Sequence, residues 1–291
     1  MEPLIIAVTV VAAIVTLSSV GSKLGVAPPL ILIVIGICFS YLPFMPAIEI
    51  NPEWILIGVL PPLLYASAVS VPVVDFRRDL VAIGGLAVVL VVVTAVVIGV
   101  VLHLFIPGVP VTIGIALGAI LSPTDAVATT IVKRLGAPSR VITMLDGESL
   151  LNDATALVLL RSAVAAAAVG LSVVDVTVDF LRAAAIATVV GAVVGWLGVR
   201  IRAHVHNVAA NTTVSFLVPF AAYAPSEELH ASGIVAAVVA GLVANQMAPH
   251  RLDARQRMYE SANWKTVEIR LEGAGCLIMG LLLRGIAGHG L

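Results

Sequence analysis

The stretch LSPTDAVATTIVKRLGAPSRVITMLDGESLLNDATALVLL, Leu121–Leu160, sets three acids, Asp125, Glu148 and Asp153, in the most apolar part of the chain. The composition around it identifies the solvent. Of 291 residues, 60% are hydrophobic and 11% charged, and the mean hydropathy is +1.12. Soluble domains run at about 45–50% apolar and about 25% charged, so this chain is expected to dissolve in lipid. A net charge of −1 supplies no basic field for a nucleic-acid partner. Cys38 and Cys276 lie in apolar runs without metal or disulfide spacing and read as small buried hydrophobes. Glu2, with no basic residue before the first apolar run, argues for a retained span rather than a signal peptide.

A bilayer core takes about 20 predominantly apolar residues per helix. Ten segments qualify, near 3–20, 28–46, 53–73, 81–105, 110–132, 141–168, 178–200, 211–225, 230–247 and 268–288. Pro219 and Pro225 interrupt the eighth and its junction with the ninth. No segment shows the alternation of a barrel strand. The expected fold class is an all-α polytopic membrane protein with about ten transmembrane helices, a single domain over 1–291. Basic residues fall in alternate loops: Lys23; Arg77 and Arg78; Lys133, Arg134 and Arg140; Arg200 and Arg202; Arg251, Arg255, Arg257 and Lys265. Loops of that kind stay cytoplasmic, which puts the N-terminus outside a plasma (inner) membrane; Arg182 alone departs from the pattern. The sequon Asn211-Thr212-Thr213 then falls on the cytoplasmic side and reads as chance.

Asp125 follows Ser122-Pro123-Thr124 in mid-span. Pro123 removes a backbone donor and clashes one turn back, so the helix should break or unwind there. Such irregular backbone is tolerated at membrane depth only where protein or water satisfies it. A broken helix beside a carboxylate is one way to build a midplane cation site, and a capping role for Asp125 fits the same geometry. In the next span, Ser149, Asn152 and Asp153 share a helical face, with Glu148 one turn below Asn152. A carboxylate facing lipid there costs at least about 2.5–3.5 kcal/mol, so these groups face inward. Asp153 is the leading functional candidate. Glu148 divides between function and a structural ion pair, and Asp146 reads as a solvated end residue. The carboxylates of Asp153 and Asp125, the Thr124 and Ser149 oxygens, the Asn152 amide oxygen and water form a ligand set for a small hard monovalent cation. Without a His or Cys cluster, a transition metal does not fit. Low dielectric disfavours a bare carboxylate charge, so a buried acid holds either a proton or a cation, and competition between them is exchange.

At these residues the chain resembles the monovalent cation:proton antiporter family, in its sodium/proton exchanger branch. The resemblance rests on SPTDAVA at 122–128 and DGESLLNDATALV at 146–158, with PPLLYASA at 61–68 and LHASGIVAAVVAGL at 229–242 in support. It implies an inverted-repeat fold and a homodimer in the lipid bilayer. It also implies electroneutral exchange of Na+ (or Li+ or K+) for H+, with no cofactor. Asn152-Asp153 matches the family's Asn-Asp pair, which makes Asp153 the ion and proton carrier. Thr124-Asp125 matches the pair at the unwound crossing, and Glu148-Ser149 the Glu-Ser pair. Two departures stand out. Ala66 occupies a position where relatives often have an acid. Relatives also continue for further spans, including a second broken helix and an arginine that can pair with the residue matched by Glu148, so the chain reads as C-terminally short. Arg161, two turns beyond the Asn-Asp pair, is a candidate substitute for that arginine or an interfacial anchor; Arg284 is an interfacial anchor. The resulting expectation is a secondary transporter rather than an enzyme. An inactive or partner-dependent fragment of one is the alternative. An intramembrane aspartyl protease using Asp125 and Asp153 is remote, because its Gly-x-Gly-Asp signature is absent.

Overall fold

The computed structural model describes residues 28–41, 51–124, 132, 135–169 and 173–289. The first expected span, Lys23, Asp125, Lys133 and Arg134 lie outside the described residues. The helices are α1 (Pro28–Ser40), α2 (Pro52–Gly58), α3 (Leu60–Ser70), α4 (Val73–Arg78) and α5 (Leu80–Gly84). A π-helical segment, Gly85–Leu90, leads into α6 (Val91–Phe105). There follow α7 (Val111–Leu121), α8 (Ser139–Val169), α9 (Val173–Arg202), α10 (Val208–Glu228), α11 (Gly233–Arg251) and α12 (Ala254–His289). No strand occurs among the described residues. Five stretches among them are long and apolar enough to cross a membrane: Glu53–Ser70, Leu80–Phe105, Ser139–Ala168, Val174–Arg202 and Gly233–Arg251. Pro29–Ser40 and Val111–Leu121 are shorter apolar helices.

The chain divides into two compact units, Met1–Val59 with Trp264–Leu291, and Leu60–Asn263. In the first, α1 meets the C-terminal part of α12 at Gly36, where an added Cβ would lie 2.5 Å from the Leu277 carbonyl oxygen. Leu32 and Leu277 are buried together beside this crossing. Cys276 is half-buried but Cys38 is exposed, which corrects the reading of both as buried. An all-round apolar helix does not distinguish a lipid-facing position from a packed one by sequence.

In the second unit the close helix contacts are made by small residues. Ala95 and Gly99 of α6 face Gly118 and Gly114 of α7. A Cβ on Gly114 would sit 2.6 Å from the Gly99 carbonyl oxygen, and one on Gly118 2.5 Å from that of Ala95. Gly195 of α9 stands likewise against Ala240 of α11. Lipid tails are as apolar as leucine, so such backbone proximity, rather than hydrophobic burial, drives association. On its other side α11 packs on α3. There Asn245 Nδ2 donates to the Ala68 and Val71 carbonyls at 3.2 and 2.7 Å, satisfying groups that the end of α3 leaves open. α8 packs against α7, α9 and the π segment, and its Val158, Leu159 and Ala163 are buried with Ile115 and Ala119 of α7. The prolines do not interrupt the eighth span: α10 runs through Pro219 and Pro225. Neighbouring helices in a bundle can re-satisfy the freed carbonyls.

Candidate functional site

Regular structure in α7 stops at Leu121, two residues before Pro123, as the proline demands. Ser122 Oγ donates to the Ala119 carbonyl at 3.1 Å, finishing the helix. The irregular backbone that follows carries Thr124 to the side of α8. Thr124 Oγ1 donates to Glu148, 2.9 Å from Oε1 and 3.1 Å from Oε2. Asn152 Nδ2 donates to Thr124 Oγ1 and to Glu148 Oε1, both at 2.8 Å. Ser149 Oγ donates to the Thr124 carbonyl at 3.3 Å. Glu148, Ser149 and Asn152 are buried, Asn152 completely; Asp153 is half-buried on the next position of the helix.

This arrangement changes the part that several residues play. Glu148 is the centre of the network rather than its edge. Thr124 Oγ1 and Ser149 Oγ, read from sequence as cation ligands, each donate a hydrogen bond within the protein, and Ser149 Oγ keeps its lone pairs for a ligand. The Asn152 amide is oriented by its two acceptors, since turning it over would set oxygen against the Glu148 carboxylate. That orientation leaves Asn152 Oδ1 buried and without a hydrogen-bond partner among the described residues. A buried acceptor in that state costs about 1–3 kcal/mol, so the site presents one unsatisfied hard oxygen beside the Asp153 position. Among the described residues no group of three or more His, Cys, Asp or Glu side chains is placed to hold a metal ion. Asp125 lies outside the described residues, and so does the side chain of Arg284.

Two ion pairs bracket the network along α8. Near its N-terminus Arg140 Nε and Nη2 donate to Asp79 at 2.8 and 2.6 Å, a two-pronged pair. The Arg140 hydrogen bond holds the Asp79 carboxyl below the usual carboxylate range. Near the other end Arg161 Nη1 bonds Glu227 Oε1 of α10 at 2.8 Å. Arg161 therefore gives Glu148 no counter-charge. At about 1.5 Å per residue the two arginines stand about 32 Å apart, the thickness of a bilayer core, with the network midway between them.

A second buried polar cluster escaped the sequence reading. Arg202 counted there only as a basic loop residue, yet its side chain is 1% exposed. Its Nη1 donates to Glu260 Oε1 at 2.7 Å and its Nε to Asn211 Oδ1 at 3.0 Å. Ser215 Oγ donates to the same Glu260 oxygen at 2.9 Å. Asn211 is thus buried in the protein and unavailable as a glycosylation acceptor. The available signal was a four-residue spacing, Asn211 to Ser215, on an otherwise apolar helix.

Comparison with known proteins places these features in a family. The sodium/hydrogen exchanger transmembrane family model matches residues 8–268. The Escherichia coli K12 protein YjcE, called an uncharacterized Na(+)/H(+) exchanger, is 35% identical over 96% of this chain and 53% of its own length. A sodium, potassium, lithium and rubidium/H(+) antiporter of Bacillus pumilus is 30% identical over 97% of this chain and 44% of its own length. The chain thus spans about half the length of these relatives. The sodium proton antiporter MjNhaP1 of Methanocaldococcus jannaschii superposes with a TM-score of 0.74 at 18% identity. That superposition covers 97% of this chain and 71% of that one and shows a shared helical antiporter fold. The family is one of transporters, not enzymes, with sodium ions and protons as the transported species. Broken span, buried carboxylate network and matched sequence agree: this chain belongs to the sodium/hydrogen exchanger family.

Proposed function

We propose that the chain forms an exchanger domain over its 291 residues, trading a monovalent cation for a proton at Asp153. The observation that carries the reading is the fully buried Asn152 Oδ1, unpaired among the described residues, beside a half-buried acid. An oxygen that cannot reach water is stabilised by a small cation, and a cation needs the neighbouring acid ionised. A proton on Asp153 removes that charge and releases the ion. Thr124 and Glu148 act as the frame: they orient Asn152 and leave its oxygen turned away. Asp125, read from the sequence as a second carboxylate ligand, lies outside the described residues. With one acid in the Asn-Asp pair the exchange is one for one and electroneutral.

Na+ and Li+ are the cations proposed, and the breadth named for the Bacillus pumilus relative supports K+ as a third. The working unit is a homodimer in the plasma membrane with the N-terminus outside. The test is cation-dependent dissipation of a pH gradient in proteoliposomes, with wild type beside Asp153→Asn. Wild-type exchange lost in the variant supports the assignment, whereas exchange surviving in Asp153→Asn overturns it. The coverage of only 53% of the Escherichia coli relative favours a second reading, in which further spans complete the site. An inserted, folded but inert wild-type chain that gains activity on adding those spans would establish it.

A further inference from the structure

Asp153, Leu157 and Arg161 lie four residues apart on α8 and so line one face of the helix, Arg161 about two turns, or 12 Å, beyond the carboxylate. Whatever approaches Asp153 along that face from the C-terminal end of α8 must pass Arg161. The arginine does not hang free there. Its Nη1 holds Glu227 Oε1 at 2.8 Å.

Glu227 is tied to the start of α11 as well as to Arg161. It occupies the last turn of α10, which closes through Leu229 N–H to the Pro225 carbonyl at 3.2 Å and Ala231 N–H to the Ser226 carbonyl at 2.8 Å. Its Oε1 also accepts the Gly233 amide at 3.1 Å, where α11 begins. A Cβ on Gly233 would lie 2.5 Å from the Tyr223 ring, so the corner is packed to backbone contact. His230, at φ 53, makes the left-handed step that turns the chain from α10 into α11.

We propose that the Arg161–Glu227 pair is a latch that closes the path to Asp153 from the membrane face at the C-terminal end of α8. The site helix is thereby tied to the α10–α11 corner on that face, and the Arg140–Asp79 pair ties it to the α4–α5 junction on the other. A midplane site reached from one side at a time needs a closure on each face that can open independently of the other. Both partners of the Arg161–Glu227 pair are about one-third exposed, at 36% and 34%. Such a pair is weak enough to open and re-form. Arg161 and Glu227 are therefore positioning residues: they control access and do not touch the ion.

The inference takes its purpose from the exchange reading, but its test needs no transport, so the two fail separately. In a Cys38→Ser/Cys276→Ser background, Leu157→Cys places one thiol between Asp153 and the latch. The purified chain is reconstituted, and a membrane-impermeant charged methanethiosulfonate is applied to each face in turn. Arg161→Gln and Glu227→Gln are each expected to speed labelling about fivefold from the C-terminal face of α8 only, the size expected for loss of a charge pair one-third exposed. The exchanged pair, Arg161→Glu with Glu227→Arg, and the conservative Arg161→Lys are expected to return the rate to that of the parent. Arg140→Gln is expected to leave labelling from that face unchanged. Unchanged labelling in both single variants overturns the latch. So does acceleration from both faces alike, or a pair whose single variants fail to fold while the exchanged pair folds, since each of these marks a structural contact only.

Discussion

Removal of the Asn152 amide tests the network around Glu148 most directly. In Asn152→Ala two hydrogen bonds disappear, one to a carboxylate and one to a hydroxyl, both 2.8 Å long and both from a fully buried side chain. A charge-assisted bond contributes about 1.5–3 kcal/mol and a neutral one about 0.5–1.5 kcal/mol, so the expected loss is about 2–4 kcal/mol. Thr124→Val keeps the side-chain shape and removes the Oγ1 contacts to Glu148 and Asn152. Because Thr124 is exposed, water replaces part of what is lost, and about 1–2 kcal/mol is expected. The Asn152–Thr124 bond is common to both variants, so the double variant should fall short of the sum by about 1 kcal/mol. Unfolding in mixed micelles of dodecylmaltoside and increasing SDS, followed by tryptophan fluorescence, measures all four proteins on one scale. An Asn152→Ala protein within about 0.5 kcal/mol of wild type, or strict additivity of the two changes, would refute the network.

The Arg202–Glu260 cluster and the Asp79–Arg140 pair each make a further prediction. Glu260→Gln leaves a guanidinium 1% exposed with no anion beside it and should cost about 3–5 kcal/mol in the same micelle assay; a loss under about 1 kcal/mol would show the pair to be dispensable. The Asp79 carboxyl is held below its ordinary range by the Arg140 hydrogen bond, so its stabilisation is fully present above the unfolded-state value of about 3.9 and declines as pH falls through the folded value. The stability difference between wild type and Asp79→Asn should therefore stay level from about pH 5 to 8 and shrink below about pH 4; a difference that widens on acidification contradicts the sign.

What the sequence made legible is what a membrane imposes on single residues. The break at Pro123 could be placed because the ring removes a donor wherever it occurs. The shared face of Ser149, Asn152 and Asp153 follows from helical spacing alone. Partners across helices were not legible. Nothing local to Arg161 points to Glu227, or local to Arg202 to Glu260, because both pairs join residues distant in sequence. The continuity of α10 through Pro219 and Pro225 escaped for the same reason, since what satisfies the freed backbone is supplied by tertiary context. Exposure of Cys38 could not be read either: in lipid, the outside of a helix is as apolar as the inside.

The pairing of Glu148 with Asn152 explains why an amide, and not a second acid, precedes Asp153. Asn152 Nδ2 stands 2.8 Å from Glu148 Oε1. A carboxylate at that position would meet Glu148 with about 6 kcal/mol of repulsion at an effective dielectric of 20, and relief would require holding an additional proton. The amide carries no charge and has two ends. Its nitrogen donates to Glu148 in company with Thr124 Oγ1, and its oxygen is left for whatever occupies the site. Two acids five residues apart on α8 thereby stand in different settings. Glu148 accepts from the two donors built around it, which ties the backbone after α7 to α8. Asp153, on the exchange reading, is the acid that carries the transient partner, proton or cation. On the exchange reading, the amide is what keeps the count of mobile charges at the Asn-Asp pair to one.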